Sequence, residues 1–288
     1  MRTAGINRRD FLKVAGAAAG MAAMAPMMGA GAEETLKGKI KTAVGYDMIR
    51  VDGSPMDKLN LIKGLGIAGV ELSINSKVDH DELREASDAT GVAVHGIVHG
   101  WSLDKIPASI DAAKNVGATT VLVAPPQVKE DYAYDECYAK SQAAYREVLP
   151  YAEKQRVCLL VETVWNNFLL SPMEMARYID EIDNPWFQGY FDIGNMVKYG
   201  WSEQWIRILG KRVKKVHLKD YSRKIAETQG PWKGFECEIG EGSNDWAAVR
   251  KALLETGFQG WATAEVGGGD KARLTQLAGE MNKVLALD

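Results

Sequence analysis

Three features of this 288-residue chain point to an α/β fold, a (β/α)8 TIM barrel. Strand-like and helix-like segments alternate eight times after residue 40, which indicates a parallel sheet. Residues 33–288 supply 256 residues, close to the usual size of such a barrel. No GxGxxG follows an early strand, which weighs against an open doubly wound sheet, the next alternative.

The elements follow in order. The first strand is expected at 41–46 (KTAVGY), with its helix at 55–65. The second strand, 69–73 (GVELS), precedes a helix at 79–90, and the third, 92–98 (VAVHGIV), precedes one at 104–116. Strand four, 119–124 (TTVLVA), leads into a long helical pattern at 134–155. Strand five, 157–162 (VCLLVE), is followed by a helix at 171–183. Its start, Ser171-Pro172-Met173-Glu174, combines a capping Ser, Pro at the first helical position and Glu at the third. Strand six, 189–193 (GYFDI), and strand seven, 213–218 (VKKVHL), are separated by a helix at 201–210. Strand eight, 260–266 (GWATAEV), lies between helices at 245–256 and 270–285. Gly66, Gly91, Gly117, Gly210 and Gly257 follow helices, where glycine suits a C-cap. The segment 219–244 is too long for a simple strand-to-helix turn. On the active face it is a candidate lid, with a surface insertion as the alternative.

The first 32 residues stand apart. Asn7-Arg8-Arg9-Asp10-Phe11-Leu12-Lys13 resembles a twin-arginine export motif, an apolar small-residue segment runs from Val14 to Met28, and Ala30-Gly31-Ala32 fits a cleavage site. A periplasmic or secreted protein is expected, with the twin-arginine translocase as a partner during export and no membrane attachment after cleavage. Net charge is −3; Arg2, Arg8, Arg9 and Lys13 against Asp10 give the first 32 residues +3, leaving −6 for the rest. With no basic stripe, nucleic acid is not an expected partner. Three cysteines, Cys137, Cys158 and Cys237, with no CxxC pair, argue against a disulfide framework or a thiolate metal site; a Cys137–Cys237 bond stays open. Oligomeric state is open as well, a homo-oligomer included.

Chemistry concentrates at strand ends. Glu162, Asp192, His217 and Glu265 close the fifth to eighth strands, and strand ends of a parallel barrel converge on one mouth. Three carboxylates and one imidazole there form an oxygen-rich site for one divalent metal, Mn²⁺ first, with Mg²⁺ or Co²⁺ as alternatives. His99 is a candidate substrate contact, on the same face as His95 if the third strand is regular. Trp165, Asn166 and Asn167 follow Glu162, and Asn195 follows Asp192; amides and an aromatic face suit polyol recognition. Lys219 and Arg223 are candidates to hold a substrate oxyanion, or are solvent-facing charges. Glu71 is either a further mouth residue or part of a structural ion pair.

Glu at the fifth strand, D-x-G-N at the sixth, H-L-K-D at the seventh, G-E-G (240–242) and Glu at the eighth resemble the xylose-isomerase-like barrels over roughly residues 40–285. More narrowly, they resemble the sugar-phosphate isomerase/epimerase group, with its ketose 3-epimerases, hydroxypyruvate isomerases and inosose dehydratases. The resemblance implies that Glu162, Asp192, His217 and Glu265 bind metal and that Glu162 and Glu265 also transfer protons. Elementary chemistry agrees. Removing a proton beside a carbonyl puts charge on oxygen that a divalent ion stabilises, and carboxylates on two faces can take and return the proton. The resemblance therefore implies a sugar isomerase or epimerase. A lyase or dehydratase on a keto-sugar or keto-glycoside, and a non-catalytic sugar-binding protein, are the alternatives. The 48-residue spacing from His217 to Glu265 departs from the pattern, and an export signal weighs against a sugar phosphate, which cells retain. The DNA-repair endonucleases of the superfamily, with their several zinc-binding histidines, do not fit a chain with 4 histidines and an acidic body.

Overall fold

The computed structural model describes residues 35–288; the export signal at 1–32 and its cleavage site lie outside the described residues. Eight parallel strands close into a barrel in sequence order: β1 Ile40–Gly45, β2 Gly69–Ser73, β3 Ala93–Gly100, β4 Thr120–Val123, β5 Cys158–Glu162, β6 Phe187–Asp192, β7 Val213–Leu218 and β8 Gly260–Ala264. The surrounding helices are α1 Pro55–Gly64, α2 His80–Thr90, α3 Ile106–Val116, α4 Tyr134–Gln155, α5 Pro172–Ile182, α6 Ser202–Leu209, α7 Arg223–Gln229, α8 Trp246–Glu255 and α9 Lys271–Leu285. All but α7 lie where periodicity places them.

Local sequence explains the helix starts. Side chains of Ser54, Asp79, Ser171, Asp245 and Asp270 accept a backbone N–H at the heads of α1, α2, α5, α8 and α9, satisfying donors the helix leaves unpaired. The main apolar core fills the space between strands and helices. A smaller set, Leu122, Leu160 and Tyr190, packs separately.

Period-two alternation sets what faces the axis. Across β6 and β7, Asp192 pairs with His217, and across β7 and β8 His217 pairs with Thr263. Lys215, His217 and Lys219 therefore step up one side of the sheet toward the mouth. Beneath the mouth, Lys215 is buried. Its ammonium donates to His95 Nδ1 at 2.8 Å, His95 O at 2.6 Å and Thr120 Oγ1 at 2.5 Å, while His95 Nε2 lies 3.0 Å from Thr263 Oγ1. Burial pushes the Lys215 amine down to about 8, with nearby Glu71 opposing.

Strand β3 is not regular, and the long connection carries structure of its own. His95 and His99 do not share a face, because register shifts fall on both sides of β3: Val70 and Glu71 oppose Val94 and Gly96, and Leu122 and Val123 oppose Val98 and Gly100. The first shift adds one residue between the two histidines and reverses the alternation, so that His95 meets Lys215 and Thr263 while His99 meets Ser109. The long connection is also not bare loop, since it carries α7 and a 3₁₀ turn, Pro231–Phe235. Ser222 caps α7, which buries no residue and so presents no apolar stripe to reveal it. The connection is anchored at Asp220, a buried carboxylate. Its Oδ1 accepts from Tyr221 N and Asn244 Nδ2, and its Oδ2 from Gly240 N and Trp246 Nε1. A Cβ at Gly242 would fall 2.1 Å from Asp220 Oδ1, so the 240–242 motif serves close packing on this anchor. The three cysteines are free.

Candidate metal centre

The strand ends of β5, β6, β7 and β8 bring Glu162, Asp192, His217 and Glu265 together. One ligand-type atom from each lies within 4.8 Å of all the others. His217 is central. Its Nδ1 is 2.8 Å from Glu162 Oε1, 3.6 Å from Glu265 Oε2 and 3.8 Å from Asp192 Oδ2. Its other nitrogen, Nε2, donates to Glu71 Oε2 at 2.9 Å. Glu71, from β2, thus belongs to the site. Its carboxylate accepts from one imidazole nitrogen and leaves the other aimed at the three carboxylates, an arrangement that orients a histidine for metal binding. Tyr190 supports it by donating to Glu71 Oε2 at 3.3 Å and Thr263 Oγ1 at 3.2 Å.

Lys219 completes the cluster. Its ammonium lies 2.5 Å from Glu265 Oε2 and 2.9 Å from Asp192 Oδ2. The second contact is an ion pair without hydrogen-bond geometry, so Asp192 Oδ2 remains a buried oxygen with no donor, as does Glu71 Oε1. Buried carboxylate oxygens that accept no hydrogen bond, in an oxygen-rich donor set, fit a hard divalent cation. Asp192 Oδ1, by contrast, accepts from Asn195 N at 2.7 Å.

Electrostatics follow from crowding charges in a buried place. Burial pushes the Glu162 carboxyl up to about 7, with His217 opposing and Glu265 adding to the rise. Burial likewise lifts Asp192 to about 6 against the pull of Lys219. At half-exposed Glu265, burial is outweighed by His217 and Lys219, which hold the carboxyl at about 2. His217 is raised well above the ordinary imidazole range: burial opposes its charge, but Glu265 and Glu162 prevail.

The remaining candidates divide. Trp165 stands at the mouth, its Nε1 donating to Asn195 O at 2.7 Å. Asn195 is buried, its Nδ2 donating to Thr163 O, and it serves to hold Asp192. Asn166 is committed to loop shape: Nδ2 donates to Pro125 O and Oδ1 accepts from Phe168 N. Asn167 Nδ2 donates to Val128 O. Arg223 spends its guanidinium on the carbonyls of Val197 and Gly200, bracing the β6–α6 turn rather than a substrate oxyanion. The two ring nitrogens of His99 sit on Ser109 Oγ and Ser102 O, on the α3 side. The one signal for Glu71 in the sequence is a carboxylate between the apolar Val70 and Leu72 of β2. A cavity of about 420 Å³ meets the cluster and is walled by Lys219, Phe235, Glu265 and Arg273 among others, within the usual size range for small-ligand sites. A larger cavity, about 750 Å³, opens between α4 and α5 and holds none of these groups.

A family model for the xylose isomerase-like TIM barrel matches residues 59–284. The chain belongs to that family. A second family model, for the twin-arginine translocation signal, matches residues 5–25, so the N-terminus directs export across the membrane. Among the described residues no helix is long and apolar enough to cross a membrane. Among sequence relatives of this xylose isomerase-like barrel, the L-ribulose-5-phosphate 3-epimerase UlaE of Salmonella paratyphi A is 25% identical over 214 residues, covering 74% of this chain and 70% of its own. Two solved structures share the fold at 16% identity. The 3-keto-D-glucoside 4-epimerase YcjR of E. coli has a TM-score of 0.65 and is covered over 98% of its length and 85% of this chain. The D-allulose 3-epimerase of Methylomonas sp., in complex with D-allulose, has a TM-score of 0.69, covering 97% of its length and 86% of this chain.

Glu71 gives a direct expectation. If the cluster holds a divalent ion, Glu71→Gln, which retains the size but loses the charge facing His217 Nε2, should weaken its binding about 10–100-fold by calorimetric titration. Unchanged affinity would reduce Glu71 to a packing role.

Proposed function

We propose that this protein is an exported, divalent-metal-dependent isomerase or epimerase of a sugar or keto-sugar. The observation that carries the reading is the pair Glu162 and Glu265, brought to one imidazole at the barrel mouth beside a cavity of small-ligand size. Glu162, Asp192, His217 and Glu265 would hold the ion. When bound, a divalent cation supplies Lewis-acid stabilisation for charge developing on substrate oxygen. Of the pair, one glutamate removes the proton beside the carbonyl and the other returns it. Lys219 adds a fixed positive charge next to both Asp192 and Glu265, where a substrate oxyanion gains from it. Trp165 lies at the edge of the site, where it packs on Phe235 and Trp232 with Lys198 Nζ over its ring.

Relatives with epimerase names support this choice within a barrel family that hosts several chemistries. The export signal favours a free sugar or keto-sugar over a phosphorylated one. The deciding experiment is a Mn²⁺-replete screen of free ketoses and 3-keto sugars followed by NMR. Interconversion of isomers or epimers is the expected result. Release of water or an aglycone would assign a lyase instead, and tight binding without turnover would assign a binding protein.

Processing is part of the proposal, with a mature chain of 33–288. Arg8→Lys combined with Arg9→Lys should leave the precursor in the cytoplasm. Mass spectrometry of the exported protein should place its first residue near Glu33; an exported chain still starting at Met1 would contradict this.

A further inference from the structure

Among the described residues, the exposed aromatics are Trp101, Tyr199, Trp201 and Trp232, and all stand on loops following β3, β6 or β7, at the mouth. Phe235 and Trp165 connect the last of these, Trp232, to the chemistry. Phe235 walls the cavity that also holds Lys219 and Glu265, and Lys219 Nζ lies 5.3 Å from its ring centre. Trp165 packs 4.9 Å from Phe235 and 4.6 Å from Trp232. Trp232 ends the series with 67% of its surface exposed. An aromatic wall therefore runs outward from the carboxylates and finishes in an open indole face.

The wall is built rather than loose. Trp232 and Phe235 share the 3₁₀ turn Pro231–Phe235, which Ser222 N ties down by donating to Gly234 O at 2.8 Å. A Cβ at Gly234 would fall 2.3 Å from the Tyr221 ring, so the turn is seated directly on that ring. Tyr221 in turn packs 4.9 Å from Phe235 and 5.5 Å from Trp165. A fixed, solvent-facing indole of this kind is well placed to stack on a ring.

Charge chooses the occupant. Lys198, Lys233 and Glu236, all exposed, interrupt the apolar surface, and Lys198 Nζ sits 4.4 Å from the Trp165 ring centre. A small amphipathic ring with hydroxyls at its edge suits this mixture; a nucleic acid does not suit the net negative chain. We infer that Trp165, Phe235 and Trp232 form a subsite for the second ring of a keto-glycoside, whose keto-bearing sugar unit occupies the carboxylate cluster. The substrate class is then a two-ring keto-sugar, for which unoxidised glycosides serve as inert binding probes. This rests on the sugar reading proposed above and narrows it.

The test uses the exported, Mn²⁺-loaded protein and three ligands in each of the gluco and galacto series: the methyl, phenyl and glycosyl β-D-glycosides. Binding is read by tryptophan fluorescence and calorimetry. At least one two-ring ligand should bind about tenfold more tightly than its methyl glycoside, as one aromatic contact of about 1.4 kcal/mol requires. Trp232→Ala should remove that advantage and leave methyl glycoside affinity unchanged, while Trp232→Phe, which keeps a ring face, should retain most of it. The phenyl and glycosyl arms tell an aromatic aglycone from a second sugar. Equal affinity for one-ring and two-ring ligands, an equal loss for both in Trp232→Ala, or no binding in either series overturns the subsite. A positive free-sugar screen beside that outcome would leave the isomerase reading standing; a negative one would remove both.

Discussion

Glu162→Gln and Glu265→Gln are each expected to lower turnover about 10²–10⁴-fold even at saturating Mn²⁺, the usual cost of losing a positioned base. The amide keeps an oxygen facing the site, so metal affinity should fall much less than activity. That split separates the two roles of these residues. If a glutamate served only as a ligand, activity would recover as Mn²⁺ is raised. The two variants should also differ from each other. With one base left, an epimerase can still exchange the hydrogen of one epimer while failing to interconvert the pair.

His217→Ala is expected to have the larger effect on the metal itself. The imidazole sits nearest the centre of the cluster, with Nδ1 within 3.8 Å of Glu162, Glu265 and Asp192 oxygens. Removing it also leaves Glu71, Glu162 and Asp192 buried without its charge, a costly arrangement. Elemental analysis should find one divalent ion per wild-type chain and a loss of more than about 100-fold in affinity in the variant, beyond what an outer contact costs. Thermal unfolding offers an independent reading, because an ion that binds only the folded protein raises its midpoint. Mn²⁺ should raise the wild-type midpoint and leave that of His217→Ala unmoved. Equal metal content in the two proteins would remove His217 from the site.

Much of this arrangement is legible in the sequence because it depends on period and position. A parallel barrel sends every strand end to one mouth, so four ligand-type residues closing β5 to β8 had to converge, whatever their partners. Alternation by two then places Lys219 above His217. What escapes the sequence depends on partners far apart in the chain. Glu71 reaches His217 across 146 positions, and nothing in GVELS says which way its carboxylate is paired. Arg223 reads as a free charge until Val197 O and Gly200 O are placed beside it. The different faces of His95 and His99 escape the sequence too, because a one-residue register shift is a property of two strands, not of either alone. Helix α7 gives no periodic signal because RKIAETQ carries only Ile225 and Ala226 as apolar residues, too few for a stripe.

In the proposed reaction this cluster moves a carbon-bound proton by two carboxylates. The most direct measurement is turnover of the wild-type protein in D₂O on whichever sugar the screen identifies, with NMR of the reacting carbon. Two-base proton transfer predicts deuterium at that carbon in the product. Full turnover with no solvent deuterium incorporated in either direction would contradict the account and indicate a hydride shift.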